Sequence, residues 1–105
     1  MKPEQDAIIS LEEWLKTRRK QEKLLNELRE NIKNVRFEDL IKLLEIFGFT
    51  IKNKRGSHNV CSHQNFILTV PKPHGNNKFV NSVYVKKAIN YLDELFDTEG
   101  VRYEE

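Results

Sequence analysis

The sequence is poor in cysteine, proline and glycine: its 105 residues include one cysteine, three prolines and four glycines. A lone cysteine forms no disulfide within the chain, so we expect the protein to work in a reducing compartment, the cytoplasm. A chain of this length supports one hydrophobic core, and we therefore expect a single compact unit.

Long hydrophobic runs are missing as well. The apolar stretches are only a few residues long, whereas a membrane-spanning helix needs about 20 apolar residues. The opening segment MKPEQDAIIS includes acidic residues where an export signal has an apolar stretch. We therefore expect neither a membrane association nor an export signal.

Acidic residues are absent from one long segment, between Thr50 and Leu92, although the whole chain has 16 of them and a net charge of +2. That segment contains all three histidines and seven cationic side chains. The cations are Lys52, Lys54, Arg55, Lys72, Lys78, Lys86 and Lys87. A purely basic segment in a nearly neutral protein is typical of surfaces that bind phosphate backbones. A solvated face that simply lacks acids gives the same pattern.

Helical patterns occupy both ends of the chain. No glycine or proline interrupts residues 4–33, which predicts one long helix or two short ones. Apolar residues at helical spacing predict a second helix over residues 36–48, with Gly48 as its C-cap. A last helix is predicted over residues 82–99, with Ser82 as its N-cap.

The middle of the chain alternates between apolar and polar residues and predicts three strands, at residues 49–53, 57–63 and 66–70. The connections between them are short, so we expect antiparallel pairing. The predicted fold class is α+β: an α-β-β-β-α unit with a three-stranded antiparallel sheet and an extra N-terminal helix. This order resembles that of double-stranded-RNA-binding domains, which read A-form RNA through basic residues on loops and a helix end.

His58 directly follows a basic turn, Lys54-Arg55-Gly56-Ser57, so a cation cluster and a titratable base are neighbours in sequence. RNA carries its own nucleophile, the 2′-hydroxyl. Its cleavage therefore needs a base, cations that stabilise the charged phosphorane, and no metal. A neutral imidazole can serve as that base. The alternative is a structural histidine that only forms hydrogen bonds.

The other polar groups of the middle strand are weaker candidates for chemistry. Cys61 and His63 lie two residues apart and share a face, whereas His58 lies on the face opposite Cys61. Their spacing matches no zinc motif, so we expect neither a metal site nor a cofactor. Cys61 is better explained as a small apolar residue of a half-buried strand. The pattern leaves open which face of the sheet carries His58, because His58 shares parity with Val60.

The chain contains a series of short motifs: NVRFEDL at residues 34–40, LL and GF within residues 43–49, GSH at 56–58, LTVP and HG within 68–75, and VYVKK at 83–87. In order and spacing this series resembles the HicA family of toxin proteins. The similarity spans roughly residues 22–96, and the glycine-serine-histidine element is its most specific part. A Lys-Pro insertion within residues 71–75 and the residues before about 20 depart from the family pattern.

This resemblance implies a double-stranded-RNA-binding-like fold and a metal-independent endoribonuclease that cleaves mRNA. It also implies the toxin of a type II toxin-antitoxin system involved in stress response. His58 would be the catalytic residue, and a HicB-like antitoxin would be the protein partner. The RNA contacts that we expect are Lys52, Lys54, Arg55, Ser57, Lys72 and Lys78.

Two other functions stay open at this point. One is a non-catalytic RNA-binding module of the same fold, and the other is a pure interaction protein with an acidic partner. We divide the chain into an N-terminal helical extension, residues 1–33, and a HicA-like domain, residues 34–105. The extension can dock on its own domain, self-associate or contact the antitoxin, and the oligomeric state stays open with it.

Overall fold

The computed structural model describes residues 10–54 and 58–104. Within them the elements are α1 (Leu11–Glu30), a short 3-10 helix (Ile32–Asn34), α2 (Phe37–Ile46), β1 (Thr50–Lys54), β2 (His58–His63), β3 (Phe66–Pro71) and α3 (Ser82–Glu104). The α+β class is confirmed, and so is the order α-β-β-β-α that follows the first helix.

The first helix is one continuous element where the sequence allowed one or two. Ser10 caps α1, because its side-chain oxygen accepts a hydrogen bond from the backbone N–H of Glu13 at 3.0 Å. Leu25 and Leu28 of its second half are buried in the core. The start predicted near residue 4 lies outside the described residues. The division of the chain at residue 33 stays a prediction.

The sequence predicts Gly48 as the C-cap of α2, but the helix ends at Ile46 with Phe47 as its C-cap, so Gly48 lies one residue after the cap. Its φ of +101° lies in the region that glycine tolerates best. The backbone N–H of Phe49 donates to the carbonyl of Leu44 at 3.0 Å, and that of Gly48 donates to Glu45 at 2.9 Å. These two bonds form a Schellman motif, which satisfies the last carbonyls of the helix and turns the chain directly into β1.

The sheet has the strand order β1-β2-β3, and both strand pairs are antiparallel. The two-residue loop Gln64-Asn65 closes the second hairpin, with Gln64 at a φ of +54°. In register, Cys61 of β2 lies between Ile51 of β1 and Leu68 of β3. The antiparallel topology predicted from short connections is therefore confirmed.

The two faces of the sheet differ sharply. The covered face, which packs against α2 and α3, includes Cys61, Leu68 and Val70, all essentially inaccessible to solvent. The opposite face, called the open face here, is formed by Thr50, Lys52, His58, Val60, Ser62, Ile67, Thr69 and Pro71. The core consists of Leu25, Leu28, Val35, Leu40, Leu43, Leu44, Phe47, Phe49, Cys61, Leu68, Val70, Val80, Val85, Ala88, Ile89, Leu92 and Leu95.

The segment between β3 and α3 is tied back to the start of α2. The backbone N–H of Val80 donates to the carbonyl of Val35 at 2.8 Å, and Phe79 forms an isolated antiparallel bridge with Arg36. Val35 and Val80 are both buried, so this short pairing is anchored in the core.

The cap of α3 lies one residue earlier than the sequence predicts. The Asn81 side-chain oxygen accepts a hydrogen bond from the N–H of Val83 at 2.9 Å, so Asn81 and not Ser82 is the N-cap. The helix also continues through Gly100 to Glu104. A single glycine weakens a helix by only about 1 kcal/mol, which is too little to end it.

Side-chain contacts join α1 to α3. The Arg18 guanidinium lies 3.5 Å from the ring centroid of Phe96 and 5.4 Å from that of Trp14, and it donates a hydrogen bond to the Phe96 carbonyl. Arg29 forms a salt bridge with Asp93. No helix within residues 10–54 and 58–104 is long and apolar enough to cross a bilayer.

Candidate nucleic-acid interface

Several chain segments meet at one end of the domain, which we call the turn end. In an antiparallel sheet of order β1-β2-β3, the end of β1, the start of β2 and the end of β3 lie together. The start of α2 lies at the same end, because the ammonium of Lys72, directly after β3, is 6.0 Å from the ring centroid of Phe37. The bridge between Arg36 and Phe79 adds the segment that leads into α3.

His58 lies on the open face at the turn end. It is the first residue of β2, its side chain is exposed, and it pairs with Lys54 on β1 and with Pro71 on β3. The sequence leaves open which face of the sheet carries His58. In the structure His58 lies on the open face together with Val60, and its side chain faces solvent. A base in this position can reach a large ligand such as a nucleic acid strand.

Cationic residues of β1 flank His58. Lys52 is exposed and pairs with Val60, so it is the diagonal neighbour of His58 on the same face. Diagonal neighbours are about 7–8 Å apart, a distance that a long lysine side chain can span. Lys54 is directly opposite His58 in the register. Strand pairing therefore places two of the predicted RNA contacts, Lys52 and Lys54, at positions of β1 next to His58.

The basic turn itself lies mostly outside the described residues. Arg55 and Ser57, two of the predicted RNA contacts, fall in the gap between residues 54 and 58, together with Gly56. The side chain of Lys54 likewise lies outside the part of the chain that the structure describes, whereas its backbone pairs with His58. The roles expected for Arg55 and Ser57 stay predictions.

Lys72 and Lys78 lie at the turn end but away from the open face. The Lys72 ammonium lies 6.0 Å from the ring centroid of Phe37, in the first turn of α2, so this side chain extends toward the helix layer. Lys78 is exposed in the segment before α3. The predicted cations thus form two groups, one around His58 and one beside the helices. Glu38 and Asp39, in the first turn of α2, add negative charge on the helix side.

A groove beside the start of α3 contains residues that the sequence did not single out. It is lined by Lys33, Asn76, Asn77, Lys78, Phe79, Val80, Asn81 and Ser82. Lys33 comes from the 3-10 helix, 45 positions before Lys78 in the chain. The pairing of Val35 with Val80 brings these segments together, and no local sequence pattern predicts such a long-range contact.

The residue that follows His58 in β2, Asn59, has a buried side-chain amide. Asn59, on the covered face, is 7% exposed, and its oxygen accepts a hydrogen bond from the Asn53 amide at 3.2 Å. Its own amide donates to the carbonyl of Val70 at 3.4 Å. These bonds connect β1, β2 and β3 next to the histidine and fix the end of the sheet that carries it. No local sequence pattern predicts this network, apart from the alternation that puts Asn59 on the face opposite His58.

Cys61 and His63 share the covered face, as their spacing predicts. Burial, with a further effect from Glu45, raises the pKa of the Cys61 thiol to about 11. The His63 ring lies 5.6 Å from that of Phe49. Within the described residues, no group of three or more histidine, cysteine, aspartate or glutamate side chains could hold a metal ion.

Comparisons with known proteins add no relative to this description. No protein-family model matches the chain, no curated protein matches it, and no solved structure resembles it significantly. The motifs of the sequence and the geometry of the turn end are therefore the features from which a function can be proposed.

Proposed function

We propose that this protein is a metal-independent endoribonuclease with the double-stranded-RNA-binding-like fold of HicA toxins, and that His58 is its catalytic base. The observation that supports this proposal best is the exposed position of His58 on the open face, next to Lys52 and opposite Lys54. Cleavage of an RNA phosphodiester requires a base with cations near it, and the exposed side chains of His58 and Lys52 provide the first two such groups on one face.

In the proposed reaction, the substrate supplies the nucleophile. The His58 imidazole accepts the proton of a 2′-hydroxyl while the 2′-oxygen forms a bond to the adjacent phosphorus. The bond from phosphorus to the 5′-oxygen breaks, and that oxygen takes up a proton from solvent. The products are a 2′,3′-cyclic phosphate and a 5′-hydroxyl. Lys52 and Lys54 stabilise the extra negative charge of the phosphorane.

The remaining cations hold the RNA backbone in this proposal. Arg55 and Lys54 contact phosphates at the basic turn, Ser57 orients the histidine or the scissile phosphate, and Lys72 and Lys78 contact phosphates farther along the strand. Phosphate contacts carry no base information. Replacing Lys54 and Arg55 together with alanine should therefore weaken the binding of different RNA sequences alike, as measured by filter binding at constant salt.

A toxin of this kind works in the cytoplasm, where it inhibits translation by cleaving mRNA, and a HicB-like antitoxin neutralises it. The expected cellular result is growth arrest when the chain is expressed alone. Co-expression of a small protein encoded next to its gene should relieve the arrest. Relief that depends on a complex between the two proteins would support the toxin-antitoxin assignment.

The test of the nuclease is incubation of the purified chain with RNA in EDTA. Cleavage with 2′,3′-cyclic phosphate ends is expected, and the same RNA with 2′-O-methyl groups should stay intact. Cleavage of the methylated RNA, or a requirement for a divalent metal, would contradict the mechanism. RNA binding that falls with salt but leaves the RNA intact would instead identify the non-catalytic RNA-binding module. Binding that does not change with salt would favour the pure interaction protein.

A further inference from the structure

The groove beside the start of α3 has the chemistry of a nucleotide-binding site. Two lysines, a phenylalanine and three asparagines are among the residues that line it. We propose that this groove binds single-stranded RNA, with Lys33 and Lys78 on phosphates, Phe79 stacked on a base, and asparagine amides on base edges. The proposal extends the proposed function, since it concerns the RNA on which the nuclease acts.

The cations of the groove come from two separate parts of the chain. Lys33 belongs to the 3-10 helix after α1, and Lys78 belongs to the segment before α3. Both are exposed, so neither loses its hydration in the absence of a ligand. Two ammonium groups on one groove can contact successive phosphates of a strand that runs along it.

Phe79 provides the apolar surface of the groove. Its side chain is 37% exposed, while its backbone is held by the bridge to Arg36 and the adjacent Val80 is buried. A ring held on a fixed backbone and open to solvent is suited to stacking, because the strand loses entropy on binding but the ring loses little. Base stacking on aromatic side chains is a common mode of single-strand binding.

The amides of the groove add hydrogen-bonding groups of both kinds. Asn76 and Asn77 belong to a turn in which the Asn77 N–H donates to the His74 carbonyl at 3.1 Å. Asn81 is held by its capping bond to Val83. A side-chain amide offers donors and an acceptor, which suits the exposed edges of an unpaired base.

These features favour a single strand over a duplex. Bases inside an A-form duplex are stacked on each other, and their major-groove edges are too deep for side chains to reach. With a duplex, Phe79 and the amides could therefore make no contact with the bases, and only the two lysines would contribute to binding. In a single strand both faces and edges of the bases are accessible.

The test measures binding of the full chain to an eight-nucleotide single-stranded RNA with a 2′-O-methyl backbone, which the proposed nuclease cannot cleave. Phe79→Ala should raise the Kd about five- to 150-fold, the range for loss of one stacked base. Leu11→Ala, which removes a side chain that is 57% exposed at the start of α1, is the matched control and should leave the Kd unchanged. Phe79→Tyr should restore binding, because it keeps an aromatic face.

The lysines are tested through the salt dependence. Log K falls as log salt rises, and each of the substitutions Lys33→Ala and Lys78→Ala should make this slope shallower by about 0.7. That is the value for one phosphate contact to a single strand. Lys23→Ala, an exposed lysine of α1 outside the groove, should leave the slope unchanged. A duplex of the same sequence should bind more weakly, and its Kd should not respond to Phe79→Ala.

The experiments can disprove the groove proposal and the nuclease proposal independently of each other. If the parent chain cleaves RNA but Phe79→Ala and the two lysine variants bind the methylated RNA normally, the groove proposal is wrong and the nuclease stands. If the parent chain cleaves no RNA but these variants lose binding, the nuclease is wrong and the groove stands. Equal binding of duplex and single strand, both sensitive to Phe79→Ala, would also overturn the groove proposal.

Discussion

His58 and His63 begin and end the same strand, yet the sheet gives them opposite surroundings. His58 is exposed on the open face beside cationic positions of β1. His63 lies on the covered face, with its ring 5.6 Å from Phe49 and close to Gly48. The difference follows from parity: five positions separate them, and successive residues of a strand point to opposite faces. Position on the sheet, and not residue type, distinguishes a base that can meet a ligand from one that packs.

The largest expected effect concerns activity. His58→Ala should reduce RNA cleavage by about 10² to 10⁴, the usual contribution of general acid-base catalysis. It should also relieve growth arrest and leave the melting temperature unchanged, because an exposed side chain contributes little to folding. Single-turnover cleavage in EDTA, with thermal unfolding measured in parallel, checks both parts.

His63→Ala is the matched control for that variant. It should lower the melting temperature while cleavage, measured where the protein is folded, stays close to that of the parent chain. The reverse result, with His63→Ala or His74→Ala inactive and His58→Ala active, would show that the glycine-serine-histidine motif does not carry the catalytic residue in this protein.

Gly48→Ala should have the next largest effect, on stability. An alanine at a φ of +101° is strained, which costs about 1–2 kcal/mol. Its Cβ would also lie 2.9 Å from Cε1 of His63, and such overpacking costs about 1–3 kcal/mol more. Gly75→Ala is the control, because Gly75 has a φ of +62° but nothing within 4 Å of an added Cβ. Urea unfolding of both variants separates the two costs.

A double-mutant cycle tests the same contact directly. If the His63 ring causes the extra cost of Gly48→Ala, that cost should shrink when His63→Ala is also present. An effect of Gly48→Ala that is the same with and without the ring would assign the whole loss to backbone strain.

Asn59→Ala should destabilise the fold by about 1–3 kcal/mol, because it removes a buried amide and leaves its partners without that bond. The loss falls at the end of the sheet that carries His58, so cleavage should fall as well. Asn90→Ala, at an exposed position of α3, should change the unfolding free energy by less than about 0.5 kcal/mol. Equal effects of the two variants in urea unfolding would show that the amide network does not hold the sheet end.

Much of the fold could be predicted from the sequence because its patterns are local. The alternation in residues 49–70 predicts the strands, and the helical spacing before Gly48 predicts α2 and its end. The cap of α3 was predicted one residue late, because Asn81 and Ser82 are both good cap residues and the sequence does not show which one has extended backbone. The sequence predicts that the last helix ends at residue 99, but the helix continues through Gly100 to Glu104.

The site was harder to predict, since strand pairing and long-range contacts build it. Parity groups His58 with Val60 and Cys61 with His63, but only the packing of the helices against one face of the sheet shows which group faces solvent. Lys33 lies outside the acid-free segment, so the charge pattern does not indicate it. Its position beside Lys78 depends on the pairing of Val35 with Val80, which spans 45 residues and has no signature in either segment.

The effect that is smallest at neutral pH concerns the thiol of the covered face, because this effect appears only in alkaline solution. Burial raises the pKa of Cys61 from 9.0 to about 11, so the unfolded chain loses this proton at a lower pH than the folded chain does. The folded state therefore binds more protons between these values, and its stability should fall as the pH rises through that window, by up to about 1.4 kcal/mol per pH unit. Urea unfolding from pH 8 to pH 10.5 measures this slope, and Cys61→Ala should remove the cysteine's share of it.

At pH 8 the thiol of Cys61 should react with a disulfide reagent only as fast as the chain unfolds, because the buried thiol is protonated and shielded. Rapid labelling of the folded protein would show that Cys61 is accessible and that the covered face is open at this strand.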